Sequence, residues 1–287
     1  MVAPSSALQR GTASGSVSRA DFHGTGGEMF GKMFVGFLLT GITFGIYMPW
    51  FLAGFYRYIY SKTTFGPTAK GNVRFEFTGT GGELFVTFLV GYLLTIVTLG
   101  IYSPWFITNL IRYYADHSVA STEDGTKYQL KYDGTGGSML VTILVGALLC
   151  GITLYIYMPW FMCKLQKAIY SQMRILENGQ QAGGLDFVGN GGDLFGQYLV
   201  GAILTGITFG IYFAWFQVRL NKFFLSHTRA TIHGRNFTAD YDATGGELFV
   251  KLLVGGLLTG ITFGIYYFWF IAQMMKFQMQ HITVREV

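Results

Sequence analysis

Residues Gly79 to Ile107, GTGGELFVTFLVGYLLTIVTLGIYSPWFI, carry the reading of the whole chain. After the acid Glu83, the run Leu84 to Tyr102 holds 19 residues without a formal charge. As a helix rising ~1.5 Å per residue it would reach ~28 Å, close to a hydrocarbon core of ~30 Å. The expectation is a membrane helix, helix A, with its acid at the positive end of the helix dipole. Pro104 and Trp105 then open a second apolar segment, helix B, since proline suits a first helical turn and Tyr and Trp gather at a membrane surface.

The stretch recurs. GTGGEMF, GTGGELF, GTGGSML, GNGGDLF and ATGGELF each lead to GIYMPWF, GIYSPWF, YIYMPWF, GIYFAWF or GIYYFWF. The tryptophans Trp50, Trp105, Trp160, Trp215 and Trp269 mark the repeat, and only the last interval is shorter, by one position. The second Gly of each pair (Gly27, Gly82, Gly137, Gly192, Gly246) precedes its Trp by the same interval in every unit. Gly36, Gly91, Gly146, Gly201 and Gly255 repeat along helix A, where small residues let helices approach closely.

Composition agrees with a bilayer as solvent. Of 287 residues 51% are hydrophobic and 12% charged, with a mean hydropathy of +0.39, so a water-soluble surface could hardly be covered. Forty Gly beside 5 Pro exclude collagen and a disordered chain. Cys150 and Cys163 lie in apolar runs, which offers neither a disulfide framework nor metal-ligand spacing. A net charge of +5 orients the chain in a membrane rather than pointing to nucleic acid. Residues 1–20 are small and polar, lack the apolar core of a signal peptide, and read as a flexible tail.

None of the 20 Lys and Arg falls in the five bends between helices A and B. Five helical hairpins with every linker on one side meet the positive-inside tendency, whereas alternating single spans do not. The linkers VSRADF, VRFEF, KYQLKYD, LDFV and FTADYD alternate as strands do, and SVAST-EDG-TKYQLKY and TRATI-HGRN-FTADY read as β-hairpins. The C-terminal HITVREV is a lone strand that supplies the partner the N-terminal strand lacks. The expected fold is thus an α-helical membrane protein of five tandem helical-hairpin repeats, about ten membrane helices, with short cytoplasmic β-hairpins between repeats and closure into a pseudo-fivefold ring. Residues 21–287 form one domain, with repeats at 21–63, 75–118, 129–174, 184–228 and 237–287 and both termini cytoplasmic.

Helix B carries the most regular polar signal. Seven residues after each Trp stands Arg57, Arg112, Lys167, Lys222 or Lys276. Four residues after it stand Gly54, Asn109, Lys164, Arg219 and Gln273, and eleven after it Ser61, Asp116, Ser171, Ser226 and Gln280. Offsets of four, seven and eleven share one helical face. Cations facing lipid would cost ~2.5 to 3.5 kcal/mol each, so they either ring a wet lumen or snorkel to headgroups. The tryptophans are the matching interface anchors. No Ser-His-Asp or paired-carboxylate arrangement recurs, the histidines show no metal spacing, and GTGG lacks the Lys-Ser/Thr of a phosphate loop. No enzyme, cofactor or metal is expected.

The residues F-x-G-T-G-G-E-L-F, L-L-T-x-I-T-x-G-I-Y and P-W-F with a cation seven after the Trp resemble the YjgN-like family of uncharacterised bacterial inner-membrane proteins. Ser138, Tyr155, Ala214 and Phe268 depart from that pattern. The resemblance implies a multi-pass protein of the bacterial inner membrane and carries no activity. The odd repeat number and the ring of cations lead to a channel or pore-like protein favouring anionic ligands. A non-catalytic scaffold that organises lipid or a membrane complex is the alternative. The partners either reading implies are the bilayer, anionic lipid or small anions, and a larger membrane complex, without nucleic acid.

Overall fold

The computed structural model describes residues 17–287. The chain is built from five β-α-α-β units. The first comprises β1 (Ser18–Phe22), α1 (Gly26–Ile42), α2 (Met48–Lys62) and β2 (Thr63–Thr68). The second comprises β3 (Gly71–Phe77), α3 (Gly81–Val97), α4 (Ser103–Asp116) and β4 (Ser118–Thr122). The third comprises β5 (Lys127–Tyr132), α5 (Gly136–Ile152), α6 (Met158–Tyr170) and β6 (Met173–Glu177). The fourth comprises β7 (Gln180–Phe187), α7 (Gly191–Ile207), α8 (Phe213–Ser226) and β8 (Thr228–Ile232). The fifth comprises β9 (Arg235–Tyr241), α9 (Gly245–Ile261), α10 (Tyr267–Gln280) and β10 (Ile282–Glu286).

All ten strands join in one closed antiparallel barrel in sequence order. In such a meander successive connections alternate between the two ends, so the five α-hairpins share one end and the tight β-turns share the other. The seam is made by β1 and β10, with Ser18 opposite Val284 and Arg19 opposite Thr283. Closure leaves no unpaired strand edge among the described residues.

This architecture corrects the expected fold class. The frame is a ten-stranded β-barrel, not a set of membrane helices joined by short β-hairpins, and among the described residues no helix is long and apolar enough to cross a membrane. The transmembrane, multi-pass topology is set aside with it. The physical reason is local. Each charge-free run is interrupted after 17 residues of helix A by a tight turn, leaving ~25 Å of helix that includes its polar first turn. The partner helices have 13 to 15 residues and carry the cations. Of the tail read at residues 1–20, residues 1–16 lie outside the described residues, and Ser18–Ala20 begin β1.

Each helix A starts on a side-chain cap. Thr25, Thr80 and Thr244 accept from the N–H of Glu28, Glu83 and Glu247, whose carboxylates return to the cap N–H and close a capping box. Asn190 caps α7 and Thr135 caps α5 by the same first bond. The acid at this position therefore serves the cap as well as the dipole. The glycines have distinct tasks. A Cβ at Gly26, Gly81, Gly136, Gly191 or Gly245 would strike Trp269, Trp50, Trp105, Trp160 or Trp215, the Trp of the preceding unit. A Cβ at Gly36, Gly91, Gly146, Gly201 or Gly255 would strike Phe51, Phe106, Phe161, Phe216 or Phe270 of its own hairpin. One glycine thus seats the neighbouring unit and the other packs the hairpin, and the Trp269–Gly26 contact closes the cycle.

The last residue of each strand before helix A, Phe22, Phe77, Tyr132, Phe187 or Tyr241, is buried where barrel and helices meet. Around it gather side chains of two adjacent units, as where Phe77 packs with Ala53, Leu84 and Tyr113. At roughly 1.5 to 3 kcal/mol per buried large apolar side chain, these five anchors bind the helical layer to the barrel.

Candidate functional site: hairpin tips and the cation stripe

The α-hairpins end in a turn with one design repeated five times. In the first, Phe44 has φ 50° and Gly45 φ 90°. Phe44 N–H bonds Gly41 O and Gly45 N–H bonds Thr40 O, the paired bonds of a Schellman cap. The left-handed residue of that cap is usually glycine, because a Cβ there costs roughly 1–2 kcal/mol. Here the position holds Phe44, Leu99, Leu154, Phe209 and Phe263, which are 85 to 98% exposed. Nothing among the described residues packs on them to offset the strain.

The turn's backbone is also closed on itself. Thr43, Ile46 and Met48 donate to Leu39 O, Thr43 O and Gly45 O, and Tyr47 N–H donates to Thr43 Oγ1 at 3.0 Å. Thr43 Oγ1 in turn donates to Leu39 O at 2.7 Å. Thr98, Thr153, Thr208 and Thr262 repeat both side-chain bonds. The turn thus has every N–H satisfied within the chain and carries its apolar side chains on the outside.

Just below the tip lies an aromatic layer. Tyr47 stacks on Trp50 with centroids 6.2 Å apart, and Tyr102–Trp105, Tyr157–Trp160, Tyr212–Trp215 and Tyr266–Trp269 do the same at 5.9 to 6.4 Å. The five Trp expected as interface anchors thus serve as seats between units, with the Tyr rings beside them.

The helices alternate around the ring, each helix A between two helices B. Helices B also meet one another, through residues six and nine positions after their Trp. Tyr56 and Tyr114 stack 4.5 Å apart, and Asn221 Nδ2 donates to Gln278 Oε1 at 3.3 Å. Ile111 shares a cluster with Ile169, as Met275 does with Ile59. In an alternating ring the set whose members touch is the inner one. At 100° per residue this contact face is opposite the face at four, seven and eleven. The cations therefore lie on the face turned away from the neighbouring helices B, in the grooves between helices A and B.

Their individual settings differ. Arg57 donates to Gly79 O at 2.9 Å, and Arg112 to Gly134 O at 2.7 Å, so each ties its hairpin to the residue before the next cap. Arg112 also reaches Asn109 Oδ1 at 3.3 Å and Tyr132 O at 3.4 Å. Lys167, Lys222 and Lys276 are exposed. Among the described residues, no ion pair involves any of these five cations. Four residues after Trp, Lys164 donates to Tyr157 OH at 2.7 Å, Gln273 donates to Tyr266 OH at 2.9 Å, and Arg219 lies 5.7 Å over the Tyr212 ring. The stripe is thus brought to one face within each hairpin, while the five cations are not brought together at a common point on the inner face.

Acids near the base are engaged. Glu28 accepts from Lys62 at 2.8 Å and from Tyr58 at 3.0 Å. The Lys62 ammonium, then the Thr25 N–H and the Tyr58 hydroxyl, hold its carboxyl down at about 2. Cys150 and Cys163 are free and buried, and burial pushes the Cys163 thiol up to about 11, far from reactive.

The tips were not singled out by the sequence, although Thr-Phe/Leu-Gly, with glycine one place after the left-handed residue, was the available signal in four units; in the third, Tyr155 takes the place of that glycine. Fold and site define a ring protein, a closed ten-stranded barrel bearing five apolar-tipped α-hairpins. The chain belongs to the family described as bacterial protein of unknown function (DUF898), whose model matches residues 17–69, 72–123 and 182–250. It is similar to the inner membrane protein YjgN of Salmonella typhimurium strain LT2, 41% identical over 80 residues, which cover 28% of this chain and 19% of that protein. It is 37% identical over 86 residues to the inner membrane protein YjgN of Escherichia coli K12, covering 29% and 20%. The matched segment thus spans about a fifth of the length of these relatives. No solved structure matches the chain.

Proposed function

We propose that the chain is a non-catalytic ring protein of the bacterial inner membrane whose five hairpin tips enter one leaflet without crossing it. The observation that carries this reading is the exposed Phe or Leu kept in left-handed conformation at every tip, in a turn whose N–H groups are all bonded within the chain. Burying five such side chains in lipid contributes about 2 kcal/mol each, roughly 10 kcal/mol before the cost of association. The Tyr-Trp layer suits the headgroup boundary and the exposed lysines of helix B suit anionic lipid. The names of the YjgN relatives agree with the location. A ring of this kind would organise lipid or hold a membrane complex.

The pore reading depended on a ring of cations around a lumen. The cations lie instead on the opposite face of helix B from the one that joins neighbouring helices, so the lipid-organising reading is preferred.

The test is flotation with liposomes. The parent chain floats with vesicles, and replacing Phe44, Leu99, Leu154, Phe209 and Phe263 together by Ser lowers the bound fraction at least tenfold with the melting transition retained. Equal flotation of parent and variant overturns the reading.

A further inference from the structure

The third hairpin differs from the others in charge. Where Glu28, Glu83, Asp193 and Glu247 open helices A, α5 has Ser138, and neither α5 nor α6 contains a carboxylate. The same hairpin has a lysine both four and seven residues after its Trp, Lys164 and Lys167, three residues apart on one helical face, whereas the fourth hairpin, with Arg219 and Lys222 there, opens on Asp193. Lys164 and Lys167 are both exposed. They border a groove of about 380 Å³ between α5 and α6, together with Thr142, Tyr157, Ser171 and Val145.

Lys164 is oriented by its bond to Tyr157 OH and lies 5.5 Å over that ring. Thr142 Oγ1 donates only at 3.4 Å to Ser138 O, and Ser171 is exposed, so both hydroxyls can turn to a ligand. Asp193, at the start of the next helix A, is held by the Asn190 side-chain amide. On the helix A side the groove is walled by the exposed Val141 and Val145. Two ammonium groups and hydroxyl donors beside an exposed apolar wall match a phosphodiester with an acyl chain attached. In the second hairpin, by contrast, the +7 arginine is spent on backbone carbonyls. In the first, Gly54 replaces the upper cation and Lys32 lies 5.4 Å over Tyr58.

We propose that the Lys164–Lys167 groove binds the phosphodiester headgroup of an anionic phospholipid in the leaflet that the tips enter. The assignment rests on the docking reading above, and the experiment separates the two.

The full chain is measured in three arms: flotation with pure phosphatidylcholine vesicles, flotation with phosphatidylcholine vesicles in which one lipid in three is phosphatidylglycerol, and titration with the soluble phosphodiester glycerophosphoglycerol and with inorganic phosphate. Flotation with phosphatidylcholine reads the tips alone. K164Q/K167Q leaves that arm unchanged and weakens the preference for phosphatidylglycerol about 30-fold, near fivefold per lysine. K164R/K167R retains the preference, and an unchanged melting transition shows that both variants fold. Equal preference in parent and K164Q/K167Q overturns the site. Inorganic phosphate binding as tightly as glycerophosphoglycerol, with no preference for phosphatidylglycerol vesicles, overturns the lipid assignment in favour of a free anion. Flotation with phosphatidylglycerol-containing vesicles but not with pure phosphatidylcholine vesicles, abolished by K164Q/K167Q, supports the headgroup site and overturns the docking reading.

Discussion

Gly91 lies where α3 meets α4 within the second hairpin. A Cβ built there would run into Cδ2 of Phe106 and come 2.6 Å from both its Cε2 and Cγ, more than ~1 Å inside ordinary carbon contact. Phe106 is wedged in turn against Phe88 at 5.5 Å in an edge arrangement, so its ring cannot simply rotate away. Gly91→Ala should therefore open the hairpin. Overpacking costs about 1–3 kcal/mol, less the roughly 1 kcal/mol that alanine gains over glycine in a helix, for a net loss near 1 kcal/mol. Gly206 on α7 is the control. It lies in the same kind of helix with nothing within 4 Å of its Cβ position, so Gly206→Ala should stabilise by about 0.5 to 1 kcal/mol. Thermal melts in detergent should thus move in opposite directions, by about 2–4 °C each. Adding Phe106→Leu to Gly91→Ala should recover part of the loss, because the shorter side chain vacates the clash. Equal shifts of the same sign for Gly91→Ala and Gly206→Ala would show that the helices are not seated on each other through these glycines.

Two more consequences concern the base and the barrel. Glu28 has a carboxyl held at about 2 against an ordinary 4.5, so its stabilisation is present above about pH 4.5 and lost as pH falls toward 2; the melting difference between parent and Glu28→Gln should be full at pH 6 and gone near pH 2. A difference unchanged between those pH values contradicts the pairing with Lys62. Among the described residues the β1–β10 seam is registered by two residue pairs where β3–β4 and β9–β10 have five, and Arg19 reaches Asp242 beside it at 2.8 Å. Amides of Ser18–Phe22 and Ile282–Glu286 should therefore exchange with deuterium faster than those of β3 and β4, and faster still in Arg19→Ala; uniform exchange around the barrel would contradict a weak seam.

Repetition made most elements legible. The GTGG caps, the Trp spacing and the alternating linkers mark where helices and strands begin because those signals are local. VSRADF and HITVREV, each without a hairpin partner, are the two strands that pair across the seam. The layer that dominates was less legible. A count of charge-free residues runs straight through Thr98-Leu99-Gly100, whereas the structure ends α3 at Val97 and turns on the left-handed Leu99. Short strands such as SVAST carry little hydropathy, so their union into a barrel, made by hydrogen bonds between units, leaves no mark comparable to the apolar helices. For the cation stripe, periodicity assigns Lys164 and Lys167 to one face. Which face meets the neighbouring helix is decided by pairs such as Tyr56 and Tyr114, which come from successive repeats and which no helical wheel contains.

On the reading proposed above, the tips enter lipid and stop within one leaflet. This is tested most directly by spin labels at Phe44→Cys and Phe209→Cys in vesicles, compared with Glu123→Cys in the β4–β5 turn, with depth read from collision with oxygen and with a water-soluble nickel chelate. Tip labels should be shielded from the chelate at less than ~15 Å of depth, half of a hydrocarbon core of ~30 Å, with the Glu123 label open to it. Tip labels as open to the chelate as that at Glu123, or emerging on the far side of the bilayer, would contradict that reading.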